Sequence, residues 1–131
     1  MEGCDLMENA TRVKKVLLFL KHMVYESTSP LETLRFAKHY RKNGLDVIIV
    51  LWGPMGVILA KKGKHGAVPD YDAKIKECMD LGVQFKCCSL ASGMIGMHED
   101  ELIDGIEIID SRQVADLFLE YTNEGQMIIN L

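Results

Sequence analysis

Long apolar runs are missing from this sequence: the longest, residues 16–20 and 47–52, fall far short of the roughly 20 residues a membrane helix needs. Proline is scarce, with 3 in 131 residues, and there is no low-complexity tract, so disordered and fibrous classes are excluded. Positive charge is not in excess. Fifteen Lys and Arg stand against 19 Asp and Glu, for a net charge of -4, which argues against a nucleic-acid backbone as partner. The basic start of a signal peptide is also missing, since Glu2, Asp5 and Glu8 stand where it would be. A cytoplasmic protein with neither nucleic acid nor membrane as partner is expected. In that reducing compartment Cys4, Cys78, Cys87 and Cys88 would be thiols rather than a disulfide frame.

What is present is an ordinary globular composition, 48% hydrophobic and 26% charged. The length fits one domain over residues 13–131, preceded by a flexible tail at 1–12. Folding a chain of this size buries about two thirds of the surface that the unfolded chain exposes.

Residues 13–20 form a near-continuous apolar run, the pattern of a strand buried on both faces of a parallel sheet. Ser29 can cap and Pro30 can open the helix that follows, which Asn43-Gly44 stops. Residues 46–52 are a second buried strand closed by Gly53-Pro54, and strand, helix, strand at this spacing implies a right-handed crossover. Helices are predicted at 55–62 and 70–81, a strand at 83–87, and a brief helical turn at 89–96. Further strands fall at 105–110 and 126–131, with a helix between them at 112–123 capped by Asp110-Ser111. The fold class is therefore α/β, a three-layer α/β/α sandwich with a five-stranded, mainly parallel sheet.

In an open parallel sheet, ligands and reactive groups gather at the carboxyl ends of the strands. Cys87 is the nucleophile-type residue placed there. A helical turn beginning near Ser89 would aim N–H groups back at it and favour a thiolate or persulfide anion, while Lys86 adds a nearby cation that strand alternation directs to the other face. The competing reading is packing, because free cysteine is among the most buried residue types. Cys88 reads as core or support, Cys78 as packing on an apolar helix face, and Cys4 as incidental. Tyr25, Gly53, Met55 and Ser89 are the candidate lining of a crevice at the strand ends, and His22 follows the first strand into the same region.

Other candidate sites are weaker. Met94, Met97, His98, Glu99, Asp100 and Glu101 mix soft and hard donors but match no standard metal spacing, and the acidic run fits the first turn of a short helix. Gly56 and Gly63-Lys64 fail as a phosphate loop, because six residues intervene instead of four and His65 replaces Ser or Thr. Lys61, Lys62, Lys64 and His65 read as a solvated basic loop, with an anion or partner contact as the second reading. Flavin or nucleotide binding would rest on fold analogy alone. Neither metal nor cofactor is expected.

Gly82-Val83-Gln84-Phe85-Lys86-Cys87, followed by Glu99-Asp100-Glu101-Leu102-Ile103-Asp104-Gly105-Ile106-Glu107, resembles the DsrE/DsrF-like family of sulfur-relay proteins. The likeness extends more loosely over residues 13–131. It implies homo-oligomers, from dimer to hexamer, or paralogue complexes, and sulfane sulfur carried as a persulfide on a cysteine that corresponds to Cys87. It also implies sulfur-donor and sulfur-acceptor proteins as partners. Some members hold a second cysteine about eight residues further on. Here Ile95 stands near that place, so the resemblance points to a one-cysteine carrier unless Cys88 substitutes. The alternative is a noncatalytic oligomeric module that binds a ligand or protein, with Cys87 buried.

Overall fold

The computed structural model describes residues 13–64 and 69–131. The expected tail at 1–12 with its Cys4, and the His65-Gly66 part of the basic loop, lie outside the described residues.

Strand β1 (Lys15–Leu20) is apolar from Val16 onward, and all five of those side chains are buried. Burial of each is worth about 2 kcal/mol, which fixes β1 inside the sheet. Helix α1 (Ser29–Lys42) follows, with Pro30 buried in its first turn. The cap position falls on Thr28 and not on Ser29, and the Thr28 side chain makes no cap bond; the Ser27 hydroxyl accepts the Ser29 N–H at 3.0 Å. The chain leaves α1 through Asn43 and Gly44, whose φ of +87° suits the residue without a Cβ.

Strand β2 (Asp46–Leu51) pairs in parallel with β1 from Lys15↔Asp46 to Leu20↔Leu51. After it the predicted helix at 55–62 is replaced by a single turn, α2 (Gly53–Gly56), which tightens into a 3-10 turn, Val57–Ala60. Two contacts cut it short. The backbone of Gly56 lies so close to the end of β1 that a Cβ there would sit 2.6 Å from the Leu20 carbonyl oxygen, and Lys61 turns extended to bridge Leu102.

Helix α3 (Tyr71–Asp80) is capped by Asp70, whose carboxylate accepts the Ala73 N–H at 3.1 Å. Strand β3 (Gln84–Cys88) leads directly into α4 (Ser89–Met94), and a 3-10 turn at Glu99–Glu101 precedes β4 (Glu107–Ile109). Helix α5 (Ser111–Asn123) begins with a reciprocal box between Asp110 and Gln113, and β5 (Met127–Asn130) closes the order.

The five strands lie in the order β4-β3-β2-β1-β5, and every pairing is parallel. Alternation along the strands divides the interior in two. Val16, Leu18, Leu20, Val47, Ile49, Leu51, Phe85 and Cys87 join the apolar sides of α1 and α3 on one face. Leu17, Phe19, Val50 and Ile109 join Val114 and Tyr121 of α5 on the other, where Phe19 stacks between Trp52 and Phe118 at 5.3 and 5.2 Å. The result is the three-layer α/β sandwich. Its connections change face between β3 and β4: the chain after β3 packs on the α1 side, and the helix after β4 lies on the other. A change of side at the carboxyl ends of neighbouring strands is where an open α/β sheet forms its crevice.

Candidate functional site

Cys87 is the last residue but one of β3, in register with Leu51 and, through it, Leu20, on the α1 side of the sheet. It is fully buried, at 0% exposure. Immediately beyond, α4 packs back on β3 and α2, and so brings Ser92 over the sulfur: Cys87 Sγ and Ser92 Oγ are 3.2 Å apart. Ser92 is itself 3% exposed, and its hydroxyl donates to the Cys88 carbonyl at 2.8 Å. A serine donating to the carbonyl four residues back is a common way for a helix to hold a buried hydroxyl.

Burial pushes the Cys87 thiol above its ordinary value, because a sulfur anion loses its hydration there; the Ser92 hydroxyl opposes the rise and the Cys88 thiol adds to it. The thiolate expected from helix-end N–H groups is therefore not the resting form. The helical turn does begin at Ser89, but the residue at its mouth is Cys88, and Cys87 lies one position deeper in the apolar core.

The other predicted residues do not share one place. Cys88 is buried beside Cys87, ends β3 and supplies the carbonyl that anchors Ser92. Cys78, Cys87 and Cys88 are all free thiols. Gly53 and Met55 lie in α2 and Ser89 opens α4, two elements that pack on each other, and Met55 and Ser89 are exposed. Tyr25 is 63% exposed in the turn after β1, close enough to Tyr71 for the two phenols to interact electrostatically, while the Tyr71 hydroxyl donates to the Val24 carbonyl at 3.2 Å. Lys86 lies on the opposite face, as alternation requires. Its ammonium binds Glu107 at 2.5 Å and lines a 300 Å³ groove against Gln113, Asp116 and Glu120 of α5, so it lends no charge to the Cys87 side. His22 is exposed.

Among the described residues no cluster of three or more His, Cys, Asp or Glu is arranged to hold a metal. The acidic run forms a single 3-10 turn at Glu99–Glu101 and not the start of a longer helix, because Leu102 turns extended to bridge Lys61; the Glu101 carboxylate accepts the His98 N–H at 2.8 Å, which holds its carboxyl below the usual range. In the basic loop, Lys64 turns inward to a buried ion pair with Asp72 at 2.9 Å, and Asp72 also accepts the Gly63 N–H at 2.8 Å. One of the four basic residues, Lys64, is thus structural. Sequence reasoning passed over Ser92. Its signal was a hydroxyl five residues after Cys87, in a short apolar segment, at the one spacing that returns it to the end of the strand.

Fold and site together define a small parallel α/β thiol protein, with its cysteine near the carboxyl end of an inner strand. The chain belongs to the DsrE/DsrF-like family, whose model matches residues 14–123. An uncharacterized protein of Methanopyrus kandleri is 32% identical over 91 residues, 69% of this chain and 74% of that protein. One from Methanocaldococcus jannaschii is 27% identical over 110 residues, 83% of this chain and 96% of its own length. Among solved structures, the YchN protein of E. coli superposes with a TM-score of 0.78 at 21% identity, over 91% of this chain and all of that one. A protein of unknown function from Methanobacterium thermoautotrophicum does so at 0.71 and 19%, over 90% and 99%. These two likenesses establish the fold. No described helix is long and apolar enough to cross a membrane.

Proposed function

We propose that the protein is an intracellular sulfur-relay carrier that holds sulfane sulfur as a persulfide on Cys87. Support comes from membership of a sulfur-relay-related family together with one observation: Cys87 sits near the carboxyl end of β3 with its sulfur against the hydroxyl of a buried serine. In the transfer, Cys87 sulfur attacks the outer sulfur of a donor persulfide, R–S–SH. The Cys87 S–S bond forms, the donor S–S bond breaks, and the departing thiolate takes the proton that Cys87 gives up. No oxidant is needed. Passing the sulfur to an acceptor thiol is the same step in reverse.

A buried sulfur must be uncovered first, and α4 is the element that covers it. The helix has only six residues, lacks a side-chain cap, and exposes Leu90 (65%) and Met94 (69%) to solvent. Short, poorly capped segments open at lower free energy than the sheet beneath them. The same exposed side chains, with Met55 and Ile95, offer an apolar surface for another copy of the chain or for a donor or acceptor protein.

The test is intact mass after exposure to polysulfide or thiosulfate: one added sulfur per chain, absent in Cys87→Ala. A chain that gains no sulfur, or a variant that still gains it, overturns the proposal. Full burial of Cys87 favours a second reading, a noncatalytic oligomeric module that binds through this apolar end. On that reading Cys87 stays inert to thiol reagents until the whole chain unfolds.

A further inference from the structure

Three polar side chains are buried among the described residues: Thr33, Asp72 and Ser92. Asp72 has Lys64, and the Thr33 hydroxyl donates to the Ser29 carbonyl at 2.7 Å, an ordinary helical back-bond. Ser92 makes the same back-bond to Cys88 and then does something Thr33 does not: it touches a thiol.

A hydroxyl has one proton. With that proton on the Cys88 carbonyl at 2.8 Å, the 3.2 Å contact can only run from the Cys87 S–H to a lone pair of Ser92 Oγ. This arrangement suits the neutral thiol and no other state. Once the sulfur loses its proton, both facing atoms carry lone pairs and repel, unless the hydroxyl rotates to donate to the sulfur. The rotation leaves no orphan, because the carbonyl of the residue before a helix also accepts the first intrahelical bond, from the backbone N–H four residues on. Ser92 favours ionisation of Cys87, whereas burial and the Cys88 thiol oppose it.

Building on the reading of Cys87 as the sulfur carrier, we infer that Ser92 is a positioning residue that works as a hydrogen-bond switch. It accepts from the resting thiol, and it turns from the Cys88 carbonyl to donate to the sulfur when Cys87 becomes a thiolate or persulfide anion. Ser92 thereby supplies the anion with a hydrogen-bond donor inside the core.

The test follows Cys87 alkylation by iodoacetamide across pH, with the site read by peptide mass, in the wild type, Ser92→Ala and Ser92→Thr. A donor to a charged group outweighs a neutral back-bond by enough to move ionisation about tenfold. Ser92→Ala should therefore raise the midpoint by about one pH unit, because the midpoint reports ionisation of the covered sulfur even when alkylation waits for α4 to open, and the limiting rate at high pH should not fall. Ser92→Thr should behave as wild type. An unmoved midpoint in Ser92→Ala, or Ser92→Thr behaving like Ser92→Ala, overturns the switch. Should the variants fold poorly, the infrared S–H stretch of the unaltered protein, assigned by its loss in Cys87→Ala, decides the donor. It should lie at a hydrogen-bonded frequency, and a free thiol frequency overturns the inference. The sulfur-relay reading fails separately: a shifted midpoint with no sulfur loading overturns the relay and leaves the switch, whereas loading with an unshifted midpoint does the reverse.

Discussion

Replacing Ala91 by glycine tests whether α4 is the gate to Cys87. Ala91 lies within α4, 3% exposed and packed in the α1-side core. Glycine costs a helix interior about 1 kcal/mol in backbone freedom relative to alanine. The buried methyl group removed with it is worth about 0.8 kcal/mol more. Together they favour the open form of α4 by about 2 kcal/mol, a roughly thirtyfold larger open population. While opening and closing are fast relative to alkylation, the rate follows that population, so Cys87 should react about thirtyfold faster. The control is the same chemical change elsewhere. Ala37, 0% exposed within α1, packs against the same core but belongs to a different helix. Ala37→Gly should lower global stability by a comparable amount, read by denaturant unfolding, and leave Cys87 alkylation unchanged under native conditions. Equal acceleration by both substitutions would refute the gate, since Cys87 would then be reached only through global unfolding, as the noncatalytic reading requires.

Two further outcomes follow from the packing beneath the site. Gly56→Ala keeps an allowed helical backbone yet places a Cβ 2.6 Å from the Leu20 carbonyl, so it should destabilise the fold by about 1–3 kcal/mol in denaturant titration. Burial also raises the Cys78 thiol from 9.0 to about 11, while its S–H donates to the Leu34 carbonyl at 3.6 Å. A group whose folded pKa is raised stabilises below its unfolded value and loses that contribution as pH climbs through the folded one. Stability should therefore fall between pH 9.0 and about 11, and Cys78→Ala should flatten this alkaline slope. An unchanged slope would mean that Cys78 is not the group responsible.

The fold was legible where one kind of burial governs a whole segment. Residues 16–20 have no polar side chain because both faces of β1 are covered, and that continuous run announces an inner parallel strand without further information. The Asp110 cap and the Gly44 stop were equally readable, since each meets a purely local backbone need. The early end of the predicted helix at 55–62 was not. It depends on the Leu20 carbonyl and on Leu102, two contacts from distant parts of the chain that leave no periodic trace. The site divides the same way. Cys87 stood out by position, but the strand runs one residue further than expected, to Cys88, and so sets Cys87 one position deeper. Its depth, its raised pKa and its serine partner all depend on how α4 folds back, and a six-residue segment with Gly93 inside it carries too little pattern to foretell that.

The strand order gives the sheet one more property, felt during synthesis. Val16 to Phe19 of β1 find their outer partners in Met127 to Asn130 of β5. A ribosome therefore releases β1 long before the strand that covers its far edge exists, although α1 and β2 can join it early. Until residue 130 emerges, the nascent chain carries a row of unpaired N–H and C=O groups beside its most apolar strand, an open invitation to pair with other chains. Loss of β5, by truncation or a stalled ribosome, should make this protein sticky in a way that no surface substitution would.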